Sequence, residues 1–136
     1  MPKVVTCLLI NNDGKLLILK RSAKVRTYKG LWGGIAGYIE ENEEPYETVL
    51  KEIREETGLN KEDVIFIKQL EVIKFKDFYE GVSYDWEVFP FLFRTGKKSK
   101  IHIGWEHTNY RWITPTEIVK VDTVPHFKDI VFRVLS

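Results

Sequence analysis

The chain of 136 residues has one cysteine, Cys7, and one methionine. A lone cysteine closes no internal disulfide and builds no cysteine-based zinc site; it suits a reducing compartment, and a cytoplasmic location is expected. Excess charge of one sign is also missing, because 21 basic and 20 acidic residues leave a formal net charge of +1. That balance provides no electrostatic reason for general affinity to nucleic acid or to a membrane surface. Any charge-based function must come from local clustering. No apolar run is long enough to span a bilayer, and Met1-Pro2-Lys3 leads straight into a strand-like stretch, so neither a membrane span nor a secretory signal is expected. Internal repeats and low-complexity linkers are absent too. What is present is a hydrophobic fraction of 43%, enough for a core and too high for a disordered chain. The length suits one compact domain over residues 1–136.

Val4 to Ile10 is β-rich, Asn11-Asn12-Asp13-Gly14 is a strong turn signal, and Lys15 to Leu19 resumes the apolar run, which together predict a β-hairpin. Residues 20–33 are expected to form a loop and Gly33 to Ile39 a short strand. Pro45 to Thr57 is the best helix, with Pro45 at the first helical position, where its missing N–H costs nothing, and Gly58 just past the end. Val64 to Phe75 and Tyr84 to Phe93 are read as two longer strands, with Thr95-Gly96-Lys97-Lys98 as punctuation and Tyr110 to Ile113 as a short strand. Thr114 to Glu117 has the form of a capped helix start. Pro125 to Leu135 is a terminal helix with Phe127, Ile130, Val131 and Val134 on one face. Runs of strands broken by isolated helices indicate an α+β sandwich and not a parallel βαβ repeat.

On the first helix Glu52, Glu55 and Glu56 have the spacing that shares a face, within an arc of roughly 100°. Tyr46, Val49, Leu50 and Ile53 occupy a separate apolar arc, and Glu47 and Arg54 are left for solvent. Taken alone, such a helix reads equally well as a solvated acidic surface. Three close carboxylates repel one another, however, unless cations relieve them. Hard divalent cations prefer oxygen ligands and accept phosphate alongside them, so the cluster suits phosphate chemistry.

The segment before the helix, Gly33-Gly34-Ile35-Ala36-Gly37-Tyr38-Ile39-Glu40-Glu41-Asn42-Glu43, adds glycines that let backbone approach an ion or phosphate. Gly37, Glu43, Lys51, Glu52, Ile53, Glu55, Glu56, Gly58 and Leu59 then stand at the spacings of the Nudix box, here residues 37–59. The chain resembles the Nudix hydrolase family at every defined position of the box but one. The departure is Lys51, where the family usually has an arginine that orients box glutamates. Lysine offers a point charge in place of a planar fork. It lies four residues from both Glu47 and Glu55, with which it can pair.

The resemblance implies an α/β/α sandwich, with a mixed central sheet between the glutamate helix and the terminal helix. It implies that Glu52, Glu55 and Glu56 bind Mg²⁺ or Mn²⁺, with the carbonyl of Ala36 as a backbone ligand. Gly37, Glu43 and Lys51 would support the site. The general base is a box glutamate or one from a later loop, for which Glu106 is the candidate. The reaction implied is attack of water on a nucleoside diphosphate linked to some group X. Substrates most similar to this chain's family type are NTP or dNTP, cleaved to a nucleoside monophosphate and pyrophosphate. Dinucleoside polyphosphates and ADP-ribose stand behind them. A non-catalytic nucleotide-binding module is the rival, but such modules usually lose box glutamates and all four remain.

On the substrate side, Lys20, Arg21, Lys24 and Arg26 cluster after the second strand and are placed to steer phosphates, although a solvated basic loop explains them as well. Trp32, Tyr38, Tyr84, Trp86 and Phe89 are aromatic candidates for stacking on a base, with core packing as the competing fate. Of these, Arg21, Arg26, Trp32 and Tyr38 are the leading substrate-binding candidates. Lys97, Lys98 and Lys100 read as solvated. His102, His107 and His126 show no metal-ligand spacing and receive no catalytic role. The expected partner is a small-molecule nucleotide, without nucleic acid or membrane, and the resemblance allows a homodimer.

Overall fold

The computed structural model describes residues 2–96 and 101–136. Lys97, Lys98 and Lys100 lie outside the described residues. Eight strands and two α-helices follow one another as β1 (Lys3–Ile10), β2 (Leu16–Arg21), β3 (Trp32–Gly33), β4 (Ile35–Tyr38), α1 (Pro45–Thr57), β5 (Val64–Gln69), β6 (Ile73–Tyr79), β7 (Val82–Thr95), β8 (His107–Ile113) and α2 (Phe127–Leu135). The sheet is mixed. β1 runs parallel to β7 from Lys3↔Glu87 to Ile10↔Arg94, and the other pairings between described strands are antiparallel.

Strand alternation divides the core into two layers. Val5, Cys7 and Leu9 of β1 and Phe91 and Phe93 of β7 face Val49 and Ile53 of α1. Leu8 of β1 and Trp86, Val88 and Leu92 of β7 face Phe127, Ile130, Val131 and Val134 of α2. The expected α+β sandwich is therefore present, with a helix on each side of the sheet. The α1 ends form as read: the Glu47 carboxylate accepts the Glu44 N–H at 3.1 Å, Pro45 begins the helix, and Gly58 closes it with φ 79 and an N–H donated to the Arg54 carbonyl.

Four local expectations need correction. The hairpin turn forms, with the Asn11 side-chain oxygen accepting the N–H groups of Asp13 and Lys15, but β1 and β2 pair only at Ile10↔Leu16. They then splay. β1 takes β4 as its neighbour, and β2 takes β3 and β8. The segment expected as one strand from Gly33 to Ile39 accordingly changes partner at Gly34. A Cβ there would lie 3.0 Å from the Cys7 carbonyl oxygen and from the Phe127 ring, so a side chain at the crossing point would press on both.

The strand expected from Val64 to Phe75 is two, β5 and β6, both paired to the 14-residue β7. The break lies opposite Pro90. The Pro90 carbonyl accepts the Leu70 N–H at 3.0 Å, but proline has no N–H to return to that edge. Beyond the break β6 and β7 continue as a hairpin turned by Glu80 and Gly81, both at positive φ. The helix start at Thr114 becomes a six-residue 3₁₀ segment, Pro115–Lys120, whose Thr114 N–H donates to the Glu117 carboxylate at 2.8 Å.

Candidate metal centre and adjoining cleft

α1 packs against β4 and β1, and this brings the box glutamates under the Ala36-Gly37 backbone. The third contributor arrives from 50 residues away. The chain before β8 is docked on the end of α1 by the His102 N–H, which donates to the Thr57 carbonyl at 2.9 Å. It is docked on the end of β2 by the Glu106 carbonyl, which accepts the Ser22 N–H at 2.8 Å. Glu52, Glu56 and Glu106 then each offer a carboxylate oxygen, all within 4.8 Å of one another. Glu55 is not part of that trio. It is exposed, at the rim of a hollow shared with Glu56, Gly104, Trp105, Glu106 and His107.

Burial governs the electrostatics. Glu52 and Glu56 are 7% and 2% exposed, too little for water to stabilise two charges. Burial, followed by the neighbouring Glu52 carboxyl, pushes Glu56 well above the usual carboxylate range, and burial likewise raises Glu52 and Glu106. The cluster has little basic company. Arg21 is the cation among the residues that line the adjoining cleft, and its Nε is committed to the Thr27 carbonyl at 2.9 Å. One Glu56 oxygen, Oε1, lies 3.4 Å from the Ala36 amide nitrogen that donates to it, and 3.7 Å from Nε2 of His107. The other, Oε2, is buried with no hydrogen-bond partner among the described residues. An all-oxygen donor set of raised, crowded carboxylates with an orphaned oxygen fits a hard divalent cation.

Gly37 makes this arrangement possible. A Cβ at Gly37 would meet Glu52 Cδ at 2.2 Å, so the Glu52 carboxylate occupies the space that any other residue's side chain would take. Lys51 has a different partner from those expected. Its Nζ makes its hydrogen bond with Glu43 Oε2, eight residues back, at 2.9 Å, while Glu55 acts on it through its charge alone. Glu43 also accepts the Thr48 hydroxyl at 2.9 Å and the Glu40 N–H at 3.0 Å. The hydrogen bond from Lys51 holds the Glu43 carboxyl below its usual range. The pair ties the loop before α1 to the helix.

Splaying of β1 from β2 opens a cleft of about 160 Å³ on the α2 side of the sheet. Its lining includes the aromatic Tyr28, Tyr38, Phe75 and Trp86, the strand residues Val4 and Thr6, and also Arg21, Ala36, Gly37 and Glu106. Tyr38 stacks on Trp86 with centroids 6.2 Å apart, and Trp86 stacks on Tyr84 at 5.2 Å. Of the four leading substrate-side candidates, Arg21 and Tyr38 line this cleft. Arg26 is exposed outside it, and Trp32 packs in the α2-side core with Arg111 over its ring. Tyr28 and Phe75 were not singled out from sequence, because nothing local distinguishes them from core aromatics. His107, given no catalytic role from sequence but able to line a pocket as the neighbour of Glu106, does line the hollow. It is buried beside Glu56, and burial lowers its pKa to about 4, so the ring is neutral. Its place next to Glu106 was the available signal.

The NUDIX domain family model matches residues 1–134. The nucleoside triphosphatase NudI of Escherichia coli is 26% identical over 127 residues, covering 88% of this chain and 87% of that protein. The NudI of Salmonella paratyphi B is 28% identical over 123 residues with the same coverage. Among solved structures, a MutT protein from Methanosarcina mazei Go1 superposes with a TM-score of 0.76 at 25% identity, covering 97% of this chain and 91% of the other. The Escherichia coli dihydroneopterin triphosphate pyrophosphohydrolase reaches a TM-score of 0.81 at 16% identity, covering 96% and 92% of the two chains, a likeness of fold alone. With the family model spanning nearly the whole chain and the box folded around a carboxylate cluster, the protein belongs to the Nudix family and is a hydrolase acting on phosphoric anhydrides.

Proposed function

We propose that the protein hydrolyses nucleoside triphosphates or their deoxy forms to a nucleoside monophosphate and pyrophosphate. The observation that carries this reading is the continuity of the two features: Glu106, a member of the carboxylate cluster, and Arg21, which feels the charges of Glu56 and Glu106, both line the aromatic cleft. A planar base between Tyr38, Trp86 and Phe75 would direct its phosphates toward Arg21 and the glutamates. The names of the NudI relatives, nucleoside triphosphatases, support it.

In this reading Glu52, Glu56 and Glu106 hold Mg²⁺ or Mn²⁺, with Gly37 leaving space for the Glu52 carboxylate. The ion would neutralise phosphate oxygens and lower the pKa of bound water. Arg21, oriented by Thr27, offers its charge to the phosphates. Glu55, exposed at the rim, accepts the proton of the attacking water at its carboxylate. Glu43 and Lys51 brace the entry to α1. Because Lys51 serves as a brace, Lys51→Arg is expected to leave kcat unchanged or raise it in steady-state assays. A severe loss of kcat would contradict that role.

A phosphate-release screen over NTPs, dNTPs, ADP-ribose, NADH and dinucleoside polyphosphates, with Mg²⁺, Mn²⁺ or EDTA, tests the assignment. Turnover highest on triphosphates and abolished by EDTA is expected. Turnover confined to ADP-ribose or dinucleoside polyphosphates would overturn the substrate. One observation favours the latter as the second reading. Trp105, 64% exposed, lines a second hollow with Glu55 and Glu106 and is absent from the lining of the cleft, so a second base has a surface to stack on.

A further inference from the structure

Tyr28 lies in the loop between β2 and β3 and has φ 53, a left-handed backbone that a bulky side chain adopts only where its surroundings impose it. The Tyr28 hydroxyl donates to Asp77 Oδ2 at 2.5 Å and accepts the Trp86 indole N–H at 3.3 Å. Its ring meets Tyr79 edge-on at 4.9 Å, and the next residue's N–H, from Lys29, donates to the Tyr79 hydroxyl at 3.4 Å. The loop that carries Thr27, and through it Arg21, is thereby clasped to the β6–β7 hairpin some fifty residues further along. Sheet pairing does not require this contact. Tyr28 and Trp86 both line the cleft, whereas Asp77, which anchors them, does not.

We infer that Tyr28 is a positioning residue for the base: held by Asp77, it fixes one part of the cleft lining and the indole of Trp86, so that the cleft takes a planar ring by its faces. A tyrosine hydroxyl has one proton and an indole has one N–H. Here the first is given to Asp77 and the second to Tyr28, which leaves neither to read a base edge. Selection at this end of the cleft therefore rests on stacking and fit and tolerates different bases. The inference deepens the proposed function and rests on the aromatic cleft being the base site.

The test is steady-state kinetics on ATP, GTP, CTP, UTP and their deoxy forms. Tyr28→Phe keeps the ring and removes both hydrogen bonds. It is expected to raise KM about tenfold for every base, the loss of a hydrogen bond to a charged group, with a smaller change in kcat. Asp77→Asn retains an acceptor and stays near the parent, while Asp77→Leu matches Tyr28→Phe. Unchanged KM in Tyr28→Phe overturns the inference. So does a loss in kcat alone, a rise confined to one base, or an Asp77→Asn as poor as Asp77→Leu. Tyr38→Ala, at an exposed cleft residue, is run alongside. If it too leaves KM unchanged, the base-site reading fails. If it raises KM while Tyr28→Phe does not, the clasp alone is wrong.

Discussion

Glu56→Gln is expected to lower kcat on the order of 10³-fold, about 4 kcal/mol of barrier, while raising the thermal midpoint of the metal-free protein. The two effects have one cause. Glu56 is 2% exposed, its Oε2 has no hydrogen-bond partner among the described residues, and Glu52 is beside it. As a carboxylate it is costly without a cation, and as a ligand it is useful for that reason. Burial followed by the Glu52 carboxyl raises its pKa above the ordinary 4.5, so the folded state binds the proton more tightly than the unfolded chain. Folded-state stability is then fully present below that ordinary value and is lost as pH rises through the raised one. The gap between the variant and the parent in metal-free thermal scans should widen as pH climbs from 4.5, and Mn²⁺ should close it by stabilising only the parent. Glu55→Gln provides the contrast: kcat falls about 100-fold, some 2.7 kcal/mol, with Mn²⁺ affinity retained, because Glu55 is exposed and outside the cluster. Near-normal turnover of Glu56→Gln would sink the metal-site assignment. Equal losses of Mn²⁺ affinity in both variants would sink the division of roles between the two glutamates.

Gly37→Ala is expected to cost on the order of 100-fold in kcat with little change in thermal stability, because a misplacement of about 1 Å at a reacting centre can cost that much. Gly37 has no positive φ, so alanine fits the backbone. The conflict is between the added methyl and Glu52, whose Cδ would lie 2.2 Å away and whose Cγ and Oε1 would lie 2.6 Å away. A side chain can yield where backbone cannot, so Glu52 moves off its cradle, and the damage falls on metal affinity and turnover instead of on folding. Shortening the displaced side chain should recover part of the loss, making Gly37→Ala/Glu52→Asp more active than Gly37→Ala. A double variant no better than the sum of its parts, measured by kcat and Mn²⁺ titration, would show that the contact between residues 37 and 52 is not what the glycine preserves.

The site was readable in its local half. Spacing on α1 placed Glu52 and Glu56 on one face, and Pro45 and Gly58 marked the helix ends, because helical contacts and caps depend on residues within about four positions of one another. Glu106 was reachable only through the resemblance to the family, since nothing in the loop itself shows that it will meet α1. Lys51 shows the limit of counting along a helix. Two acidic residues stood at the right spacing, yet Glu43, which precedes the helix and is turned back by its contacts with Glu40 and Thr48, lies nearer. The aromatic alternation of Tyr84, Trp86 and Val88 was visible, but whether that face was core or cleft depended on the splaying of β1 and β2, which a single glycine at position 34 permits.

By itself, then, the sequence determined the capped glutamate helix with its acidic and apolar faces, which follow from periodicity and from spacings of a turn or less. The layered sandwich and the box as the mark of a hydrolase of phosphoric anhydrides came from its resemblance to the Nudix family. Tertiary structure alone decided which carboxylates gather, that Glu52 rests where Gly37 has no side chain, and that Tyr28, Phe75 and Trp86 become walls of one cleft. The physical reason is that those contacts join segments 15 to 60 residues apart on the chain, and their distances are set by how the sheet twists, splays and packs, for which no local pattern of residues carries a signal.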